Sequence, residues 1–190
     1  NFITSLKDYS SGIIPKLALE FLILTATRPI ETRLASWNEI NEDLWVIPAE
    51  RMKAGGTHSV PLSSAALKVL KKAHALRSAN ELIFPSPIDD KPMSDGTMRK
   101  LLQKTLGVDA TVHGFRSTFK DWASETTNHP NEVSEMALAH TIGSKTEAAY
   151  RRGDLLQKRR ELMQDWSDFL CSKNGTVIRL EKGAAYGRRT

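Results

Sequence analysis

Apolar residues crowd positions 16–26 so densely that only Lys16, Glu20 and Thr25 interrupt them, which predicts a core helix buried on most of its circumference and opened by Pro15. The run stops at Thr27-Arg28-Pro29, and the second proline starts a short helix over 30–36, with Trp37 and Ile40 apolar after it. The pattern then changes period. Leu44-Trp45-Val46-Ile47-Pro48 and His58-Ser59-Val60-Pro61-Leu62 read as two strands of a hairpin turning at Gly55-Gly56, with Lys53 two residues before the turn. Ser63 or Ser64 caps a helix reaching about Leu76, with Leu67, Leu70 and His74 on one face, and Leu82-Ile83-Phe84 reads as a third strand.

Helical spacing dominates the rest. Ser94 and Gly107 bracket a helix over 94–106 that carries Met98, Leu101, Leu102 and Thr105 on one side. Phe115, Phe119, Trp122 and Thr126 trace a second stripe. Val133, Met136, Ala137 and His140 trace a third, which aims His140 inward with its apolar neighbours. Ser144-Lys145-Thr146-Glu147 has the form of a capping box for a short helix carrying Tyr150. Asp154 caps a last helix in which Leu155, Arg159, Leu162, Met163, Trp166, Phe169 and Leu170 keep the period, and beyond Cys171 only 176–180 looks strand-like. The expected fold is mainly α with a small antiparallel β-sheet (α+β), without internal repeats.

Composition narrows the class. The chain has 190 residues, 40% of them hydrophobic and 26% charged, enough to bury one core and too apolar for disorder. The apolar run near the N-terminus falls well short of the roughly 20 residues of a membrane span. One cysteine, Cys171, fits a reducing cytoplasm and argues against a thiolate zinc site. No signal peptide is legible, and a first residue other than Met makes an excised fragment the expectation. The net charge of +5 suggests nucleic acid, but most of the surplus lies in the tail, where Lys173, Arg179, Lys182, Arg188 and Arg189 face only Glu181. The body is almost balanced.

Phosphate-binding glycine loops, His-Glu-x-x-His helices, calcium loops and Gly-x-Ser-x-Gly elbows are all absent. What remains is a dispersed basic set: Thr-Arg-Pro-Ile-Glu at 27–31, Lys53 in the hairpin, His-Gly-Phe-Arg at 113–116, and Ala-Leu-Ala-His at 137–140 with Tyr150 ten residues on. In that order and context the set resembles the tyrosine recombinase, or phage integrase, family. Over about 15–170, and through the hairpin 47–63 in particular, it is similar to the integrases of prophages and genomic islands.

The resemblance implies the recombinase catalytic-domain fold over 1–172, with the arm- and core-binding domains of complete family members missing ahead of it. It implies cleavage of DNA by Tyr150 to a 3′-phosphotyrosine, without metal or other cofactor. Arg28 and Arg116 would grip the phosphate, as planar, permanently charged guanidinium groups suit its oxygens. His113 would be the base that deprotonates Tyr150, Lys53 the acid for the departing 5′-oxygen, and His140 would hydrogen-bond the phosphate or position its neighbours. Glu31, three residues after Arg28, is the candidate for orienting that arginine. Implied partners are double-stranded attachment-site DNA, a homo-tetramer assembled on it and a directionality factor, in the bacterial cytoplasm with the nucleoid. The basic tail 173–190 either docks on a neighbouring subunit, with 176–180 as an added strand, or is disordered.

Two alternatives stay open at this level: a type IB topoisomerase, which uses a similar residue set to relax supercoils, and a non-catalytic DNA-binding or assembly module. Arg151, Arg152, Lys158 and Arg160 are as well read as a solvated face as a DNA contact, and Arg159 falls in the apolar stripe, which suits a partly buried ion pair.

Overall fold

A computed structural model describes residues 2–3, 6, 12–53, 55–77, 79–86, 88, 91–140 and 154–172. Helix α1 (Ile13–Thr25) is the axis of the domain, with every residue from Leu17 to its C-terminus buried, Glu20 included. It begins two residues earlier than the sequence pattern suggests, so Pro15 sits inside the first turn, where a missing N–H breaks no helical hydrogen bond. Around it pack α3 (Ser64–His74), α4 (Gly96–Lys100) and α7 (Leu156–Cys171). Trp166 of α7 donates its indole N–H to the Ile23 carbonyl at 2.8 Å, tying the last helix to the last turn of the first.

The short α2 (Pro29–Arg33) leads through a 3-10 turn into a three-stranded antiparallel sheet, β1 (Ile40–Asn41), β2 (Leu44–Ile47) and β3 (His58–Pro61), in that order. The predicted hairpin is β2–β3, in the register Trp45↔Val60 and Ile47↔His58. Strand alternation buries all four of these residues on one face of the hairpin, where the Trp45 ring lies 5.3 Å from that of Phe21 in α1. The third strand is β1, reached through a two-residue turn. The segment Leu82-Ile83-Phe84 makes only an isolated bridge to Ser36, because Pro85 cuts it short, although Ile83 and Phe84 are buried.

Two helical faces are rotated from their expected positions. On α3 the buried side is Ala66, Val69, Leu70 and Ala73, whose small residues allow close approach to α1, while His74 stays exposed, edge-on to Trp37. Its cap is Ser63, which accepts a hydrogen bond from the Ala66 N–H. On α5 (Gly114–Thr126) the buried side is Arg116, Phe119, Trp122 and Ala123, so a charged residue takes the place expected for Phe115. Helix α4 widens into a π turn over Leu101–Thr105 and ends at Gly107, whose φ of 64° is the left-handed stop anticipated there. Helix α6 (Asn131–Ala137) follows α5. No helix among the described residues is long and apolar enough to cross a membrane.

Candidate active site

The corner after α1 is built from hydroxyls. Thr25 donates to the Phe21 carbonyl at 2.7 Å, and its oxygen lies 2.9 Å from that of Thr27, which lies 2.9 Å from that of Thr32. This chain fixes the turn in which Ala26 adopts a left-handed φ of 50° and Arg28 stands at the N-cap of α2. Glu31, 2% exposed, accepts from the Arg28 backbone N–H through Oε2 and from its Nη1 through Oε1, each at 2.7 Å. One carboxylate therefore holds both the backbone and the guanidinium of Arg28.

Arg116 reaches the same place from α5. Its guanidinium is 4% exposed and donates to two backbone carbonyls, that of Ala26 and, at 2.6 Å, that of Leu138. Burial, then the positive charge of Arg28, lower its pKa to about 10, against a partial compensation from Glu31. Among the described residues no carboxylate forms an ion pair with Arg116. Arg116 is thus tied to the Ala26 carbonyl two residues before Arg28 and feels the charges of both Arg28 and Glu31, so two guanidinium groups are near one carboxylate, which Arg28 already engages. Such a cluster is short of negative charge, and an oxyanion with paired acceptors would relieve it.

Lys53 is exposed on the connection between β2 and β3. The residues before it anchor that connection: Met52 is buried, and Arg51 pairs with Glu39 and donates to the Glu31 carbonyl at 3.4 Å. His113 is exposed at the N-cap of α5, and its carbonyl accepts from the Arg116 N–H at 3.0 Å.

His140 departs from the inward orientation its spacing predicts. Helix α6 stops at Ala137, and Ala139 turns the chain with a φ of 49°, so the helical period no longer applies and the His140 side chain is 44% exposed. It faces an open cleft of about 290 Å³ shared with Met52, Gly56, Thr57 and the start of α7 at Asp154. The structure so brings Arg28, Glu31 and Arg116 into one cluster, and sets His140 against the hairpin connection that carries Lys53. Tyr150, the 144–147 capping box, Arg151, Arg152 and the tail from 173 on lie outside the described residues.

His58 is a residue that sequence reasoning passed over. It is buried opposite Ile47, faces the Ala137 carbonyl, and burial together with the nearby Arg159 pushes its pKa down to about 4, so the ring is neutral near pH 7. Its alternation with Val60 along one strand already places it on the core side. Arg159 is indeed buried within the apolar stripe of α7; it donates to the Ser59 carbonyl at 2.5 Å and pairs with Asp154 at 2.8 Å. Among the described residues no group of three or more His, Cys, Asp or Glu side chains is placed to hold a metal ion.

The model of the phage integrase family matches residues 1–155. Prophage integrase IntA of Escherichia coli K12 is 39% identical over 161 residues, which cover 82% of this chain and 39% of that protein. Prophage integrase IntZ of the same strain is 36% identical over 159 residues, with the same coverage. The crystal structure of a lambda integrase dimer bound to a COC′ core site superimposes with a TM-score of 0.56 at 21% identity, over 81% of this chain and 55% of that one. That likeness establishes the recombinase catalytic-domain fold, and the chain spans about two fifths of the length of the curated relatives it matches. With the family model covering most of its length and its fold in agreement, the chain belongs to the phage integrase family.

Proposed function

We propose that this chain is the catalytic domain of a site-specific recombinase that integrates or excises a prophage or genomic island by transesterification of DNA. The observation that carries the reading is that Arg116, held by the Ala26 carbonyl two residues before Arg28, lies near enough to Arg28 for their charges to repel, with Glu31 the carboxylate that offsets both. A phosphodiester concentrates charge on its non-bridging oxygens as it is attacked, and preorganised guanidinium donors stabilise that charge without reorganisation.

In this reading the Tyr150 oxygen attacks phosphorus, its proton passing to His113, and the bond to the 5′-oxygen breaks as Lys53 supplies a proton to it. The products are a 3′-phosphotyrosine and a free 5′-hydroxyl. Reversal by the same or another 5′-hydroxyl rejoins the strand, and the phosphotyrosyl ester conserves the energy needed. A phenol with an ordinary pKa of about 10 needs such a base. His140 donates to the phosphate from the cleft. Tyr150 is four residues from Asp154, which lines that cleft, and four residues of chain span at most about 14 Å.

The protein acts in this proposal on double-stranded attachment sites in the bacterial cytoplasm, as a homo-tetramer, with a directionality factor setting the balance of integration and excision. Further domains ahead of this one supply most of the DNA grip, and the segment 173–190 docks on a neighbouring subunit. The test is a nicked suicide duplex carrying a candidate attachment site from the DNA flanking the coding region. A detergent-resistant adduct is expected with the intact protein and none with Tyr150→Phe; adduct surviving that substitution would overturn the mechanism.

A further inference from the structure

His140 is held twice by one residue. Its backbone N–H donates to the Glu135 carbonyl at 3.0 Å, and its ring Nδ1 lies 2.8 Å from Glu135 Oε2. The other carboxylate oxygen is taken by Lys120, whose Nζ sits 2.6 Å from Oε1 and also donates to Ser134 Oγ at 2.8 Å. The carboxyl, Lys120 and His140 come from α6, α5 and the turn after α6, so the contact ties three pieces of chain.

An ionised carboxylate only accepts hydrogen bonds, so the Nδ1 facing it must carry a hydrogen. Glu135 is kept ionised: burial opposes its charge, but hydrogen bonds from Lys120 and His140 outweigh that and hold its pKa below the usual carboxylate value. The bond made by one imidazole nitrogen decides the state of the other. With Nδ1 committed to Glu135, Nε2 is the nitrogen left for the cleft.

We propose that Glu135, held by Lys120, is a positioning residue that fixes the tautomer and orientation of His140 so that Nε2 is presented to the scissile phosphate. The inference rests on the recombinase reading for the identity of the phosphate, but the ring geometry stands apart from it.

Two measurements on the intact protein test it. Long-range proton–nitrogen correlation spectra of isotope-labelled protein report which ring nitrogen of His140 carries the proton. The wild type should show a protonated Nδ1, Glu135→Ala should lose that signature, and Glu135→Asp should restore part of it. On the suicide duplex, single-turnover cleavage should fall by about tenfold or more in Glu135→Ala, the scale of a misplaced catalytic group, and recover partly in Glu135→Asp. A His140 signature unchanged by Glu135→Ala overturns the proposal, and so does a changed signature with unchanged cleavage. Absence of adduct in the wild type would instead overturn the recombinase reading, with the spectra still deciding whether Glu135 sets the ring.

Discussion

Glu31 spends both carboxylate oxygens on Arg28, one on the backbone N–H and one on the guanidinium, each at 2.7 Å, while its charge also offsets that of the buried Arg116. Replacing it with Gln keeps the shape and removes the counter-charge of two cations. Glu31→Gln should therefore lose about 1–3 kcal/mol of stability, the cost of leaving a buried charged donor poorly matched. Added phosphate should recover more stability in this variant than in the wild type, because the cluster is then shorter of negative charge. Urea unfolding with and without phosphate reads both effects, and an equal phosphate response in the two proteins would contradict a shared counter-charge.

Arg116 tests geometry where Glu31 tests charge. Its planar fork spans the Ala26 and Leu138 carbonyls, one on each side of the site, and a lysine ammonium at the same position keeps the charge without the span. Arg116→Lys should cost about 1–3 kcal/mol through one stranded buried carbonyl. The turn at Leu138 would loosen with it, so amide exchange at Ala139 and His140 should speed up relative to the core of α1. Unchanged exchange there would show that the turn holds without the clamp.

His58 makes stability depend on pH. Its folded pKa of about 4 lies below its ordinary 6.5, because burial and then the charge of Arg159 disfavour the protonated ring. Between those values the unfolded chain binds more protons than the folded one, so stability rises with pH: the contribution is complete above about 6.5 and is lost as pH falls toward 4. From pH 7 to pH 5 the loss from this group alone should be on the order of 2 kcal/mol. His58→Gln should flatten that part of the profile. If urea midpoints at the two pH values differ as much in the variant as in the wild type, another group is responsible.

How much of this was legible beforehand varies with the kind of signal. Helix α1, the β2–β3 hairpin and α7 follow from apolar periodicity, because burying those faces is what stabilises them. The inward reading of His140 fails because the end of α6 depends on Ala139 taking a left-handed φ, which alanine does not announce as glycine would. The strand at 82–84 fails because an apolar run shows burial without showing a pairing partner. The burial of His58 was readable from its two-residue alternation with Val60 along the expected strand, but alternation assigns a face and no chemical role. The juxtaposition of Arg28 with Arg116 has no local signature. Only the family resemblance, which fixes the order of the basic residues, linked them before the fold did.

Asp154 carries two separable duties at the start of α7. The N-cap of α7 is Leu155 rather than the expected Asp154, but Asp154 does a cap-like job from one residue earlier, its Oδ1 accepting from the Leu156 N–H at 3.0 Å, and its Oδ2 pairs with the buried Arg159 at 2.8 Å. Asparagine can keep the cap and cannot neutralise the arginine; alanine loses both. Arg159 retains its bonds to the Ser59 and Asp154 carbonyls in either variant, so neither strands the guanidinium completely. Asp154 is itself largely solvent-exposed, which limits what its charge contributes. Asp154→Asn should accordingly cost less than about 1 kcal/mol, and Asp154→Ala about 1 kcal/mol more, the usual worth of a cap. Salt separates the two duties: the Asn penalty should shrink at high ionic strength as the ion pair is screened in the wild type, whereas the further step to Ala should not. Denaturant titrations of the three proteins at low and high salt measure this, and a salt-dependent step from Asn to Ala would show that capping is not what the alanine removes.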